Sequence, residues 1–119
     1  MTPIIIDTLF IVSLFYKKEH YHKQTRETIL TNQRPIVTCE AVITESCYLL
    51  RESNIAVNNL LLNIKNGIFC VEFFLNENLS DIISLLKKYS DIPMDYADAC
   101  LVTLAGILKT ADILTLDKD

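Results

Sequence analysis

The sequence predicts an α/β fold, a three-layer α/β/α sandwich around a short parallel sheet of about four strands, with paired helices between strands. Three observations predict it. Short β-branched runs, Ile4-Ile5-Ile6 and Ile36-Val37-Thr38, lack polar alternation and read as strands buried on both faces. Longer segments with helical spacing separate such runs. Half of the 119 residues are hydrophobic, and only two Gly and three Pro occur, which counts against a turn-rich β-sandwich. A chain of this length buries roughly two-thirds of its unfolded surface, so residues 1–119 read as one domain.

Taken in order, strand 4–6 is followed at once by a helix over 8–16. A polar break at 17–20 precedes an exposed helix over 19–31 with alternating charge. Pro35 stops that helix, and strand 36–38 follows. Helices over 40–53 and 54–65 come next, the second ended by the Asn66-Gly67 C-cap signal. Strand 68–73 and a helix over 78–89 run up to the break at Asp91-Ile92-Pro93. A helix over 95–108 then leads to strand 113–115 and the closing Leu116-Asp117-Lys118-Asp119. This alternation implies parallel strands joined by right-handed helical crossovers.

Net charge is −4, from 11 basic and 15 acidic residues. The acids concentrate late (Asp91, Asp95, Asp98, Asp112, Asp117, Asp119), while Lys17, Lys18, Lys23, Arg26 and Arg34 form an early basic segment. An acidic balance argues against nucleic-acid binding by bulk charge, so a local basic segment and a cation would have to offset it. Mean hydropathy is high at +0.28. No apolar run approaches the ~18 residues of a membrane span, and residues 1–15 lack a basic leader segment. The expected setting is cytoplasmic, without membrane association. The four cysteines (Cys39, Cys47, Cys70, Cys100) form no CxxC and sit in apolar segments, as reduced, buried thiols do.

The acids carry the chemistry. Asp7 ends the first strand, and in open α/β sheets ligands lie beyond the strand carboxyl ends. It also stands where a helix N-cap stands. Glu45 has Ala41, Val42, Tyr48 and Leu49 as helical neighbours, which places a carboxylate within an apolar face. Asp98, with Leu101 and Val102 one turn on, reads the same way, and Asp95 lies one turn before it. With Asp117 after the last strand, these acids can converge where the parallel strands end. Gathered carboxylates repel one another, and a hard divalent cation removes that cost. Asp7, Glu45, Asp98 and Asp117 are therefore the expected ligands of Mg²⁺ or Mn²⁺.

The opening Ile-Ile-Asp-Thr at 5–8, Val-Ile-Thr-Glu at 42–45, Tyr-Ala-Asp-Ala at 96–99 and Leu-Thr-Leu-Asp-Lys-Asp at 114–119 together resemble the PIN-domain nucleases. Within them the chain is similar to the VapC-type toxins of toxin–antitoxin pairs. The resemblance implies a PIN-like sandwich and cleavage of RNA by a metal-activated water, leaving 5′-phosphate and 3′-hydroxyl ends. Asp7, Glu45, Asp98 and Asp117 match its acid quartet, with Thr8, Asp95 and Thr115 as supporting residues. Lys17, Lys18, Lys23, Arg26 and Arg34 are candidate RNA contacts, and Glu19 with His22 matches a structural pattern before the second helix. The resemblance implies an RNA substrate and a cognate antitoxin protein as partners, while the high apolar content suggests a helical face left for self-association, as in a homodimer. Two departures stand out: Leu9 replaces the usual Ser or Asn, and the family usually continues beyond a position like Asp119, as if the C-terminus were shortened. They motivate the alternative of a catalytically degenerate PIN-like binding module.

Overall fold

Strands this short and this apolar survive only where helices cover both of their faces. The computed structural model describes residues 2–72, 75–92, 94–110 and 112–115. Among these, β1 (Ile4–Ile6), β2 (Ile36–Thr38), β3 (Phe69–Val71) and β4 (Ile113–Leu114) form a sheet in the order β3-β2-β1-β4. The pairings are parallel: Ile4 stands opposite Ile36, Ile36 opposite Phe69, and Ile6 opposite Leu114. Six helices accompany them among the described residues: α1 (Thr8–Phe15), α2 (His22–Thr31), α3 (Glu40–Leu49), α4 (Asn54–Lys65), α5 (Leu75–Lys88) and α6 (Tyr96–Leu108). The expected sandwich, with two helices in each crossover, is the observed one.

The strand order fixes where a site can form. The chain moves from β1 outward through β2 to β3, then returns to the opposite side of β1 as β4. Right-handed crossovers therefore put α1–α4 on one face and α5–α6 on the other. Accordingly α1 packs on α2, α3 and α4, and α5 packs on α6. The β1–β4 boundary is thus the topological switch point, where a crevice opens beyond the strand carboxyl ends. Asp7 directly follows β1 there. Because α6 leads back to the amino end of β4, its first turn lies at the carboxyl edge as well, and α3 starts there too. Contact between α3 and α6 closes this edge.

The core is built on the fully buried Ile5, Ile6, Ile11, Val42, Leu60, Phe69 and Leu104. At the amino edge of the sheet, Arg34 acts as a tie. Its Nε and Nη2 donate to the carbonyls of Thr2 and Pro3 at 2.9 and 3.0 Å, and Nη1 pairs with Asp112 at 2.8 Å. This joins the segments entering β2, β1 and β4. It also places Arg34 at the opposite end from Asp7, with its guanidinium already engaged.

Several boundaries differ from expectation, each for a local reason. The second helix starts at His22, because turns through Tyr16, Glu19 and His22 occupy the preceding backbone. The third ends at Leu49, since Ser53 serves the next helix as N-cap and accepts from the Ala56 N–H at 3.1 Å. The expected stop after α4 is present as a Schellman motif. Gly67 (φ 81°) donates to Ile64 at 3.1 Å, and Ile68 donates to Asn63 at 2.9 Å. The fifth helix begins three residues early, at Leu75. Phe73 and Pro93 lie outside the described residues.

Candidate active site

Asp7 has extended backbone geometry (φ −102°, ψ −179°), and its Oδ1 accepts from the Phe10 N–H at 3.0 Å, capping α1. Its own N–H donates to the Leu114 carbonyl at 3.3 Å, tying it to β4. One residue earlier, the Ile6 carbonyl accepts from the buried Thr38 hydroxyl at 2.9 Å, which clamps β2 to β1. Asp7 is therefore held from three elements. Thr8 beside it is buried, Leu9 is exposed, and Thr115 follows β4 at the same edge. Asp117 lies outside the described residues.

Glu45 is half-buried on α3. The buried face of that helix is formed by Val42 and Ser46 and continued by its C-cap, Leu50, whereas Tyr48 and Leu49 are exposed. Glu45 stands at the border of the buried face, a correction to its expected place in the middle. Asp98 was expected to point inward and is instead exposed. The reason is a capping box: Asp95 accepts from the Asp98 N–H at 2.9 Å, and Asp98 accepts in return from the Asp95 N–H at 3.3 Å. This reciprocal bond turns the Asp98 carboxyl toward the helix start, at the rim of the α3–α6 junction.

The rim is electrostatically loaded. The Asp98 carboxyl is held above its ordinary range, first by loss of water around it. The Asp95 backbone N–H opposes that shift, and the nearby charges of Asp95 and Glu45 add to it. A cleft of about 580 Å³ is lined by Thr44, Glu45 and Tyr48 from α3 and by Asp95 and Tyr96 at the start of α6. Among the described residues no lysine or arginine pairs with Glu45, Asp95 or Asp98. Nor are three His, Cys, Asp or Glu side chains there grouped closely enough to hold a metal ion. In donor chemistry these residues fit a hard cation: every candidate ligand is a carboxylate, and their mutual repulsion is what such an ion relieves.

The sign of that repulsion can be measured. An acid with a raised folded pKa penalises the fold as it ionises, so its penalty is absent at low pH and grows as pH rises through the raised value. Asp98→Asn keeps an oxygen for the Asp95 N–H but removes the charge. At pH 7 in EDTA it is expected to melt above the wild type by a few degrees at most, because the group is exposed and screened. The gap should close as pH falls below the ordinary 3.8. Equal melting temperatures at pH 7 would mean that the helix macrodipole offsets the repulsion.

Other residues singled out from the sequence have structural duties. His22 Nδ1 donates to the Ser13 carbonyl at 2.9 Å and fastens α2 to α1, as the structural reading of this residue expects. All four cysteines are free thiols, Cys39 and Cys100 buried and Cys47 and Cys70 half-buried. Lys17 and Lys18 lie in the α1–α2 turn, with Lys23 and Arg26 on α2, all exposed. Tyr96 enters the sequence reading only within the Tyr-Ala-Asp-Ala motif, with no role, and Tyr48 only as an apolar neighbour of Glu45. The available signal was an aromatic residue beside an acid on each of two helices.

The chain belongs to the PIN-domain family, and the parallel α/β/α sandwich with acids at its switch point agrees with that membership. The PIN-domain family model matches residues 4–119. Among solved structures, the fold is similar to the crystal structure of Mycobacterium tuberculosis VapC20, a sarcin-ricin loop cleaving toxin. The TM-score is 0.86 at 17% identity, over 98% of this chain and 91% of that one. No curated protein matches the chain in sequence. Among the described residues, no helix is long and apolar enough to cross a membrane.

Proposed function

We propose that residues 1–119 form one PIN-like unit that acts as a metal-dependent endoribonuclease, the toxin of a toxin–antitoxin pair. Asp7, Glu45, Asp98 and Asp117 hold Mg²⁺ or Mn²⁺ in this reading. The observation that carries it is that Glu45 and Asp95 line one cleft at the carboxyl edge, with Asp98 bonded to Asp95, and that none of them has a basic partner among the described residues. Membership of the PIN-domain family and a fold shared with a sarcin-ricin loop cleaving toxin support it.

A bound divalent cation would supply charge neutralisation at the scissile phosphate and a more acidic attacking water. The chain's own residues do the positioning. Asp7 is aimed by its cap on α1, Glu45 is presented from the border of α3, and Asp98 is fixed by its box with Asp95. Thr8 and Thr115 flank Asp7 at the ends of adjacent strands. Lys17, Lys18, Lys23 and Arg26 attract the RNA backbone over a range set by salt. The enzyme works in the cytoplasm, is restrained by a cognate antitoxin protein, and self-associates as a homodimer through exposed apolar helix residues.

Purified chain is expected to cleave a structured RNA in Mg²⁺ and to lose that activity in EDTA, with the products read on a denaturing gel. Full activity in EDTA would eliminate the metal-dependent reading. Leu9, where the family usually carries Ser or Asn, favours one competitor, a degenerate PIN-like binding module. Calorimetric titration with Mg²⁺ separates the two, since the degenerate module shows no saturable binding.

A further inference from the structure

The two helices on the other face of the sheet, α5 and α6, pack on each other yet leave a groove of about 530 Å³ between them. Asp81, Leu85 and Lys88 line it from α5, and Val102, Thr103 and Ile107 line it from α6, beyond the turn that carries the acids. Val102 and Ile107 are exposed although aliphatic. Two features of α6 serve nothing within the fold. Gly106 lines the groove inside the helix, where glycine is a weak choice, and no atom stands within 4 Å of the position a Cβ would take. Thr103, one turn earlier, is only 7% exposed, and its buried hydroxyl has no hydrogen-bond partner. A missing side chain and an unsatisfied hydroxyl thus border the same space.

An occupant of that space has to bring a hydrogen-bond acceptor and a section thin enough to pass close to α6. A peptide main chain has both. Its carbonyls suit the Thr103 hydroxyl, which turns into the groove through the second of the two χ1 states that helical threonine uses. Its backbone can lie directly over Gly106. The rim sets length and polarity. Asp81 and Lys88 are both exposed, and among the described residues neither forms an ion pair. Two helical turns apart, they are separated by about 10.5 Å along the axis of α5. Three residues of extended chain span about 10–11 Å, so the ammonium of a tripeptide meets Asp81 when its carboxylate meets Lys88. Leu85, Val102 and Ile107 favour aliphatic side chains between those ends. A fatty acid would answer Lys88 alone, and a nucleotide would bring like charge to Asp81.

We propose that the α5–α6 groove is a binding site for a short aliphatic peptide with both ends free, its ammonium at Asp81 and its carboxylate at Lys88. The site is separate from the acid edge, and the proposal does not rest on the ribonuclease reading. Calorimetric titration of the full chain with the tripeptide Leu-Ala-Leu is expected to show saturable one-to-one binding. Acetylating its amino end or amidating its carboxyl end should each weaken binding about 2- to 5-fold, as loss of an exposed ion pair does. Asp81→Asn should weaken the free peptide equally and leave the acetylated one unchanged, and Lys88→Gln should stand in the same relation to the amide.

Two further variants separate binding from folding. Gly106→Leu fills the groove and should abolish saturable binding, while Thr103→Val removes the hydroxyl and should weaken binding about 2- to 10-fold. Both are expected to melt no lower than the wild type, because leucine is the better helix former and valine leaves no hydroxyl unpaired. Absence of saturable binding by the wild type, or binding that survives Gly106→Leu, would overturn the proposal. So would a wild-type dimer that binds no peptide and that Gly106→Leu converts to a monomer, which would give the groove to a second copy of the chain.

Discussion

Asp7→Asn is expected to abolish RNA cleavage, by at least about 100-fold, while the chain stays folded. The magnitude follows from metal sites generally, where losing even an outer partner costs about 10- to 100-fold. The fold should tolerate the change because asparagine caps helices as well as aspartate does. Its side-chain oxygen can still accept from the Phe10 N–H, and the backbone bond to Leu114 does not involve the side chain. Asp7→Ala provides the contrast: it removes the cap as well, at about 1 kcal/mol, and should melt several degrees lower. Cleavage rates on end-labelled RNA, paired with thermal melts, separate the two roles. Near-wild-type cleavage by Asp7→Asn would leave Asp7 as a helix cap and nothing more.

What could be read in the sequence was what depends on near neighbours. Ile4–Ile6 and Ile36–Thr38 announce themselves because strands covered on both faces need no polar alternation. The Asn66-Gly67 stop is equally local, since the left-handed geometry at Gly67 suits glycine. Caps were harder. Ser53 and Asp95 were each absorbed into a helix, although both are residue types that start one. Asp98 shows the same limit at the site: helical spacing gives the side of a helix, but a reciprocal bond with Asp95 decided where the carboxyl points. Arg34 could not be placed at all, because its partners Thr2, Pro3 and Asp112 are remote in sequence. The candidate site was legible as a set of acids at element ends. Its aromatic wall was not, because exposure of Tyr48 and Tyr96 depends on how α3 meets α6.

Phe69→Ala should produce the largest loss of stability of any change considered, and little loss of chemistry. Phe69 is among the largest fully buried side chains, and its ring meets Phe15 edge-on with centroids 6.0 Å apart. Truncating such a residue costs about 3–5 kcal/mol, for lost transfer energy plus the cavity left behind. Domains have only about 5–15 kcal/mol in total, so the melting midpoint should fall by on the order of 10–20 °C. A drop of only a few degrees would mean that the core collapses around the gap. The register predicts the second half of the result. Phe69 faces Ile36, which faces Ile4, so the cavity opens at the amino edge of the sheet. Asp7 and the first turns of α3 and α6 occupy the carboxyl edge. Below its own midpoint, Phe69→Ala should therefore cleave RNA at the wild-type rate per folded molecule, with the folded fraction taken from circular dichroism. The pair of variants then dissociates in both directions: Asp7→Asn loses catalysis and keeps the fold, while Phe69→Ala weakens the fold and keeps catalysis. A proportional fall in both properties for Phe69→Ala would instead mean that the acid edge is held by the packing of β3, with the β2–α3 corner carrying the strain to Glu45.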